Sequence, residues 1–414
     1  MTPVANVQRA LLEDLHDRVF RAKHQSRRIG AEIEWIPVLA DTRRVAPVFG
    51  AERQASLGML RRLAARLGWQ EASSAKGVPY FLLPGAGTIT FEPGGQIEYG
   101  SRAYDTASDL LAQMRLVDRY LREEAAESGL ELLTLGIDPA NSLHDAPLQL
   151  TSPRYERMAA HFERLGAAGG RMMRQTASLQ IALDFEADPW PRWRLLNQLA
   201  PFLIAIFANS ACYAGRDTGH RSFRQDSWRR LDSGRTGLPF VDDDPAQGYL
   251  DFALGATPLL LDETTDRPLS AVLERRNLTA VEWETHLSTL FPEIRPRGYL
   301  EVRSIDALAA EWYAAPIAFV SGLVYDRASR DEAIALLDEP TDPLLVRAGY
   351  CGLRDPEIGR RAAELFDLAL AGCRRLGRVF LNHADYEVAR RYFDTYTRHG
   401  LSPADDSRAS LLAV

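Results

Sequence analysis

The chain has 414 residues, of which 46% are hydrophobic and 25% charged, and a formal net charge of −7. That supplies core material for one large domain or two intimately packed ones, and no tract is poor enough in apolar residues to be disordered. The mild acidity and the scattered arginines argue against nonspecific nucleic-acid binding, so no nucleic-acid partner is expected. Three distant cysteines, Cys212, Cys351 and Cys373, form neither a disulfide framework nor a Cys-x-x-Cys metal motif and read as reduced thiols. There is no signal-peptide core and no apolar run of about 18 residues, so the reading is a cytoplasmic protein with no membrane partner.

In chain order, hydrophobic periodicity predicts a charged amphipathic helix over about 7–26. A strand then runs through Arg28-Ile29-Gly30-Ala31-Glu32-Ile33-Glu34-Trp35-Ile36, with Glu32 and Glu34 on one face and Ile33 and Trp35 on the other. A helix around 53–67 leads to a strand pair over about 79–99, interrupted by Pro93-Gly94-Gly95. Glu92 and Glu98 flank this turn on a common side. They form either a solvated acidic turn or half of a divalent-cation site, because carboxylates left together repel unless a cation sits between them.

A long helix follows from Thr106 to Ser128, then a short strand from Leu132 to Leu135 and a helix near 153–165. Alternation over 171–185 predicts a strand whose polar face carries Thr176, Ser178, Gln180 and Asp184. Pro191 to Cys212 reads as a helix whose apolar run is buried. The strand Arg297-Gly298-Tyr299-Leu300-Glu301-Val302-Arg303 puts Glu301 and Arg303 on one face, as a surface salt bridge or as part of a site. Beyond Asp306 the pattern is helical, near 307–326, 330–338, 356–375 and 384–398. The result is an α+β expectation: an antiparallel sheet with an open polar face over residues 1–306, and a helical region, 307–414, packed on it as one compact unit. No repeat, low-complexity linker or Gly-x-x-x-x-Gly-Lys-Ser/Thr motif occurs, so any ATP would be held by metal ions and arginines.

Several ordered segments resemble the plant-like and actinobacterial glutamate-cysteine ligases, a family with the glutamine synthetase fold. They begin with Gly30-Ala31-Glu32-Ile33-Glu34, Phe91-Glu92-Pro93-Gly94-Gly95-Gln96-Ile97-Glu98, and Met172-Met173 followed by Gln180 and Asp184. Next come Phe207-Ala208-Asn209-Ser210, then Gly219, Arg224 and Trp228 ahead of Arg235-Thr236-Gly237. His286-Leu287-Ser288-Thr289-Leu290-Phe291-Pro292-Glu293-Ile294-Arg295-Pro296-Arg297 then runs into Leu300-Glu301-Val302-Arg303. The closing Pro403-Ala404-Asp405-Asp406 is similar to the tail of members that feed ergothioneine synthesis.

The resemblance implies an ATP-dependent ligase that phosphorylates the γ-carboxylate of L-glutamate and passes the acyl group to the α-amino group of L-cysteine, for glutathione or ergothioneine synthesis. It implies two or more Mg²⁺ ions, with Glu34, Glu92 and Glu98 holding one and Glu32 with Glu301 another, helped by Gln180. Arg303 would meet the transferring phosphoryl group, Arg295 and Arg297 would contact ATP, and Glu98 with Arg303 would be catalytic. Arg224 and Arg235 are candidate clamps for a glutamate carboxylate, since a guanidinium fork matches a carboxylate, and Gln180 is a further substrate-binding candidate; Arg224, Arg235, Arg295 and Arg297 could equally be structural ion-pair partners. Trp35 and Trp228 read as packing residues and His286 as a local hydrogen-bonding residue. The assembly implied is a monomer or homodimer.

The sequence departs from the family where Gln180-Ile181-Ala182-Leu183-Asp184 stands for the usual Gln-Val-Asn-x-Asp, and where Tyr99-Gly100 replaces Leu-Ser. The lost amide motivates an alternative, a ligase of the same chemistry with a different amine acceptor. A non-catalytic glutamate- or nucleotide-binding relative is disfavoured because all five carboxylates and Arg303 are present.

Overall fold

Ile29–Leu39, apolar and polar in alternation over its first half, is the long central strand β1 in the computed structural model of the protein. The structure describes residues 3–21, 27–50, 53–74, 77–85, 87–239, 244–261 and 267–412. Further strands are β2 (Gln70–Ser73), β3 (Pro79–Leu83), β4 (Gly87–Phe91), β5 (Ile97–Ser101), β6 (Leu130–Leu133) and β7 (Ser178–Leu183). After a separate two-stranded ribbon, β8 (Cys212–Tyr213) with β9 (Arg216–Asp217), come β10 (Ile294–Pro296) and β11 (Leu300–Asp306). The main sheet runs β10-β11-β7-β1-β5-β4-β3-β2, with β6 paired to the far half of β1. All its pairings are antiparallel, and it is backed by helices, as the α+β expectation required.

Register decides which side chains meet. Glu32 lies opposite Gln180 and Gly100, Glu34 opposite Glu98, Glu98 opposite Thr90, and Glu301 opposite Arg295 and Ala182. Because side chains alternate along a strand, one face of the sheet collects these polar groups. Its other face buries Ile33, Trp35, Ile97, Leu179, Ile181 and Val302. That face is covered by the helices Ala107–Glu127 and Trp190–Ile206, on which the helix Ala314–Tyr325 packs. A continuous apolar cluster runs from Leu15 through these strands to Tyr396. Within it, buried Asp118 accepts from Trp35 Nε1 at 2.9 Å, from the Tyr313 hydroxyl at 3.2 Å and from Arg122 Nε at 2.9 Å. A buried carboxylate needs such partners to offset its lost hydration.

The helix Ala314–Tyr325 is buried along its whole length, so it presents no amphipathic stripe. It meets the helix Pro356–Leu376 at a glycine pair. A Cβ on Gly372 would lie 2.1 Å from the Gly322 carbonyl oxygen, so larger residues would force the two backbones apart.

Three elements differ from the sequence reading. The first helix spans Pro3–Asp14 and continues as a π-helical turn, Leu15–Val19; residues 22–26 lie outside the described residues. The strand pair expected over 79–99 is three strands, β3 to β5, because the chain reverses a second time between Leu83 and Gly87. The long strand expected over 171–185 is a helix, Ala167–Gln175, followed by β7. Its half-buried positions, Arg171 and Arg174, stand three apart while Ala168, Met172, Met173 and Gln175 are buried, which is a helical stripe that resembles alternation in a short window. A Cβ on Gly169 would lie 2.3 Å from Phe162 Cβ, so the glycine lets this helix press against Pro153–Arg164.

Candidate active site

The polar sheet face opens into a cleft of about 770 Å³, in the range of small-molecule sites. Glu32 and Glu34 reach it from β1, Glu98 from β5, Gln180 from β7 and Arg303 from β11. Glu92 enters from the tight turn between β4 and β5, where Gly95 N donates to the Glu92 carbonyl at 2.8 Å. Gly95 adopts a positive φ of 93°, and a Cβ on Gly94 would lie 2.1 Å from the Arg174 carbonyl oxygen. The two glycines therefore serve the backbone that aims Glu92, as a left-handed turn and a close approach require.

The carboxylates divide into two electrostatic groups. Glu32, Glu34, Glu92 and Glu98 share few donors. Glu34 accepts from Ser178 N at 2.8 Å and from Gln180 Nε2 at 3.1 Å, and Glu98 accepts from the Thr90 hydroxyl at 2.9 Å. Burial, together with repulsion from Glu98 and Glu301, pushes Glu32 up to about 8. Burial and the neighbouring Glu34 push Glu98 up to about 7, against the Thr90 hydrogen bond. Glu92 is raised well above the usual carboxylate range by burial and by Glu98 and Glu34, and burial also raises Glu34. Each group's proton affinity thus reports charge that its surroundings do not neutralise.

Glu301 is the opposite case. Arg295 grips it through two donors at 2.6 and 3.0 Å, Arg303 Nη1 donates at 3.0 Å, and Arg297 Nη1 stands 3.5 Å away. Burial alone would raise Glu301, but Arg295 and Arg303 outweigh it and hold the carboxyl at about 2. It is 1% exposed and faces guanidinium groups instead of lining the cleft. Glu301, expected to hold a metal ion with Glu32, is thus found paired with arginines and off the lining of the cleft.

Arg303 Nη1 also donates to Gln180 Oε1 at 2.7 Å, so Gln180 bridges Arg303 and Glu34. Arg224, Arg295 and Arg297 line the same cleft. Arg235 does not. It is fully buried, donating to the Thr289 carbonyl at 2.5 Å, pairing with Asp232 at 2.8 Å and reaching the Thr257 carbonyl. Expected as a substrate clamp, it lies off the cleft, with both Nη atoms donating to Thr289, Thr257 and Asp232. His286 is likewise structural, buried against the Ala253 carbonyl at 2.8 Å and depressed by burial to about 4.

Residues not singled out from the sequence also line the cleft. Trp228, expected only to pack, borders it and lies under both Arg303 and Arg224, whose guanidinium carbons are 5.4 and 5.9 Å from its ring centre. Met158, Met172 and Met173 form a soft apolar wall beside Tyr155 and Phe291. Met172 and Met173 stood in a matching segment, but Met158, Tyr155 and Arg154 come from a helix whose sequence shows only amphipathicity. On the other side of Glu32 a smaller cavity of about 290 Å³ is lined by Gly30, Ser101, Ala182 and Tyr299. Ala182 faces this cavity and is absent from the wall of the main cleft.

Among the described residues, no three acidic, histidine or cysteine side chains converge tightly enough to hold a metal ion as they stand. The donor set nevertheless suits a hard cation: four carboxylates raised chiefly by burial, three of them also by neighbouring carboxylates, with few hydrogen-bond donors. No described helix is long and apolar enough to cross a membrane.

Comparison with known proteins gives these features a family. The model of glutamate-cysteine ligase family 2 matches residues 28–410. Glutamate–cysteine ligase EgtA of Mycolicibacterium smegmatis is 34% identical over 341 residues, 77% of this chain and 79% of that protein. The chloroplastic glutamate–cysteine ligase of Nicotiana tabacum is 29% identical over 376 residues, 84% of this chain and 70% of that one. Among solved structures, a glutamate–cysteine ligase of Francisella tularensis in complex with AMP superposes with a TM-score of 0.54 at 14% identity, covering 92% of this chain and 84% of that chain, a likeness of fold. A family match that starts just ahead of β1 and takes in the cleft's carboxylates, Arg224 and Arg303 before reaching the last helix leaves one conclusion: the chain belongs to glutamate-cysteine ligase family 2.

Proposed function

We propose that the protein is an ATP-dependent ligase that joins the γ-carboxylate of L-glutamate to the α-amino group of L-cysteine, giving γ-glutamylcysteine, ADP and phosphate. The observation that carries this reading is the convergence of four under-neutralised carboxylates with Arg303 and Arg224 in one cleft. A carboxylate is a poor electrophile. Transfer of the terminal phosphoryl group of ATP to the glutamate γ-carboxylate creates an acyl phosphate, and attack by the amine expels phosphate. Arg303 is placed to stabilise charge on the moving phosphoryl group, with Arg295 and Arg297 contributing positive charge to ATP.

Arg224 is the clamp for a glutamate carboxylate, since its guanidinium lines the cleft while its other contacts lie behind it. Glu34, Glu92 and Glu98 would hold one Mg²⁺, and Glu32 contributes to a second. Magnesium bound there would offset charge between two anionic reactants. Gln180 orients Arg303 and Glu34 together through its amide.

The test is ADP release with ATP, Mg²⁺ and L-glutamate, adding L-cysteine or a panel of other amines, with Glu98→Gln as control. Turnover that needs cysteine and is lost in the control supports the reading. Turnover with a different amine replaces the acceptor, and no turnover with any amine overturns it.

A further inference from the structure

Asp306 ends β11, three residues beyond Arg303, and is 1% exposed. A register shift in the β11–β7 pairing falls between Val302 and Ile305, which turns the end of the strand away from its earlier alternation. The Asp306 carboxylate is then enclosed by three segments. Its Oδ2 accepts from Asn209 N at 2.8 Å and from the Ser210 hydroxyl at 2.6 Å. Its Oδ1 accepts from the Ser222 hydroxyl at 3.0 Å and lies 3.7 Å from Arg224 Nη1. The chain makes room for this carboxylate at Gly136, where a Cβ would lie 2.4 Å from Asp306 Cγ.

Two of these partners, Ser210 and Ser222, lead to Arg224. The Ser210 hydroxyl accepts from Arg224 N at 3.1 Å. Ser222 is the N-cap of the helix Phe223–Arg229, accepting from Gln225 N at 3.2 Å, so it fixes the start of the helix that carries Arg224 and Trp228. Arg224 Nη2 donates to the Arg303 carbonyl at 2.8 Å. The guanidinium is therefore held between the backbone of β11 and the carboxylate at its end, while it lines the cleft beside Arg303.

We propose that Asp306 is a positioning residue for substrate binding: through Ser210, Ser222 and its own charge it fixes the direction in which Arg224 presents its fork to the glutamate carboxylate. This rests on the reading of Arg224 as that clamp. Asp306 touches no substrate. Its loss leaves the Arg224 guanidinium with one anchor fewer beside the Arg303 carbonyl, so the penalty falls on glutamate affinity and not on the chemical step.

The experiment is steady-state kinetics of Asp306→Asn, Ser222→Ala, Arg224→Lys and the double variant Asp306→Asn/Arg224→Lys, with thermal melting of each. Asp306→Asn is expected to raise the KM for glutamate about tenfold or more, with kcat within about threefold and the KM for ATP unchanged. Ser222→Ala, which keeps the buried charge pair, should show a weaker shift of the same kind. The double variant should be no worse for glutamate than Arg224→Lys alone, because both changes break one unit. Additive effects, or equal losses for all substrates, would overturn the proposal, and so would an unchanged glutamate KM in Ser222→Ala if Asp306→Asn does not fold. If Arg224→Lys raises the glutamate KM while Asp306→Asn does not, the positioning role alone fails. An unchanged glutamate KM in Arg224→Lys overturns the clamp itself, and this proposal with it.

Discussion

Glu34 and Glu98 are direct cross-strand partners between β1 and β5, two carboxylates on one face of the sheet. Like charges placed so are destabilising. The sign of the pH dependence follows. Glu98 at about 7 and Glu32 at about 8 lie above their unfolded values, so between about 4.5 and those values the folded chain binds more protons than the unfolded one. Their contribution is fully present below the unfolded pKa and is lost as pH rises through about 7 to 8. Glu301, held at about 2, adds the opposite limb: its contribution is present above the unfolded value and is lost as pH falls through about 2. Without Mg²⁺ the melting temperature should fall as pH rises from about 6 to about 9, and saturating Mg²⁺ should flatten this slope. Calorimetry in buffers of different ionisation enthalpy should show protons released on Mg²⁺ binding. A slope unaffected by Mg²⁺ would separate these carboxylates from any cation.

Glu98→Gln should divide stability from activity. Removing one charge relieves the pair with Glu34, while the amide still accepts from Thr90. At about pH 8 and without Mg²⁺ the variant should melt no lower than the parent, yet its turnover should drop at least about a hundredfold and the stabilisation by Mg²⁺ should shrink. A variant that melts lower and keeps its turnover would make Glu98 a structural residue.

Arg303→Lys keeps the charge and loses the fork. Arg303 holds Gln180 and Glu301 at once from Nη1, and an ammonium at the end of a flexible stem cannot reproduce that arrangement while facing a phosphoryl group. The kcat should fall by about two to three orders of magnitude, with the KM for cysteine little changed. Near-parental kcat would mean that a point charge suffices there.

How much of this was legible in the sequence depends on the range of the contact. Alternation placed Glu32, Glu34, Glu98 and Gln180 on shared strand faces, because that period belongs to each strand alone. It could not say that Arg295 pairs opposite Glu301 and so removes that carboxylate from the cleft, since this depends on the register between β10 and β11. The place of Arg235, off the cleft, is hidden for a related reason. Its segment resembles a substrate-binding one, but only the tertiary fold shows the carbonyls of Thr257 and Thr289 closing around it. The helix Ala167–Gln175 was hidden by its shortness, which leaves two periods indistinguishable.

For Arg235 the structural assignment has its own measurement. Arg235→Met leaves Asp232 without its buried partner and the two carbonyls of Thr257 and Thr289 without this donor, which should cost about 3 to 5 kcal/mol in urea unfolding. Below its unfolding range the variant should keep the parental KM for glutamate. A raised KM with unchanged stability would return Arg235 to the substrate.

Ala182→Asn tests which cavity governs the choice of amine. Ala182 lies opposite Gly30 and Glu301, on the wall of the smaller cavity, and Glu32 is the carboxylate that both cavities share. An asparagine amide there would narrow the smaller cavity and offer a donor to the Glu32 side, leaving the methionine wall of the main cleft untouched. If the amine enters through the main cleft, the ranking of amines by kcat/KM in competition should be the same in the variant and the parent, even where overall rate changes. If the ranking changes, the side chain of the acceptor reaches past Glu32, and the missing amide at position 182 is then the reason this chain would select a different partner from its relatives.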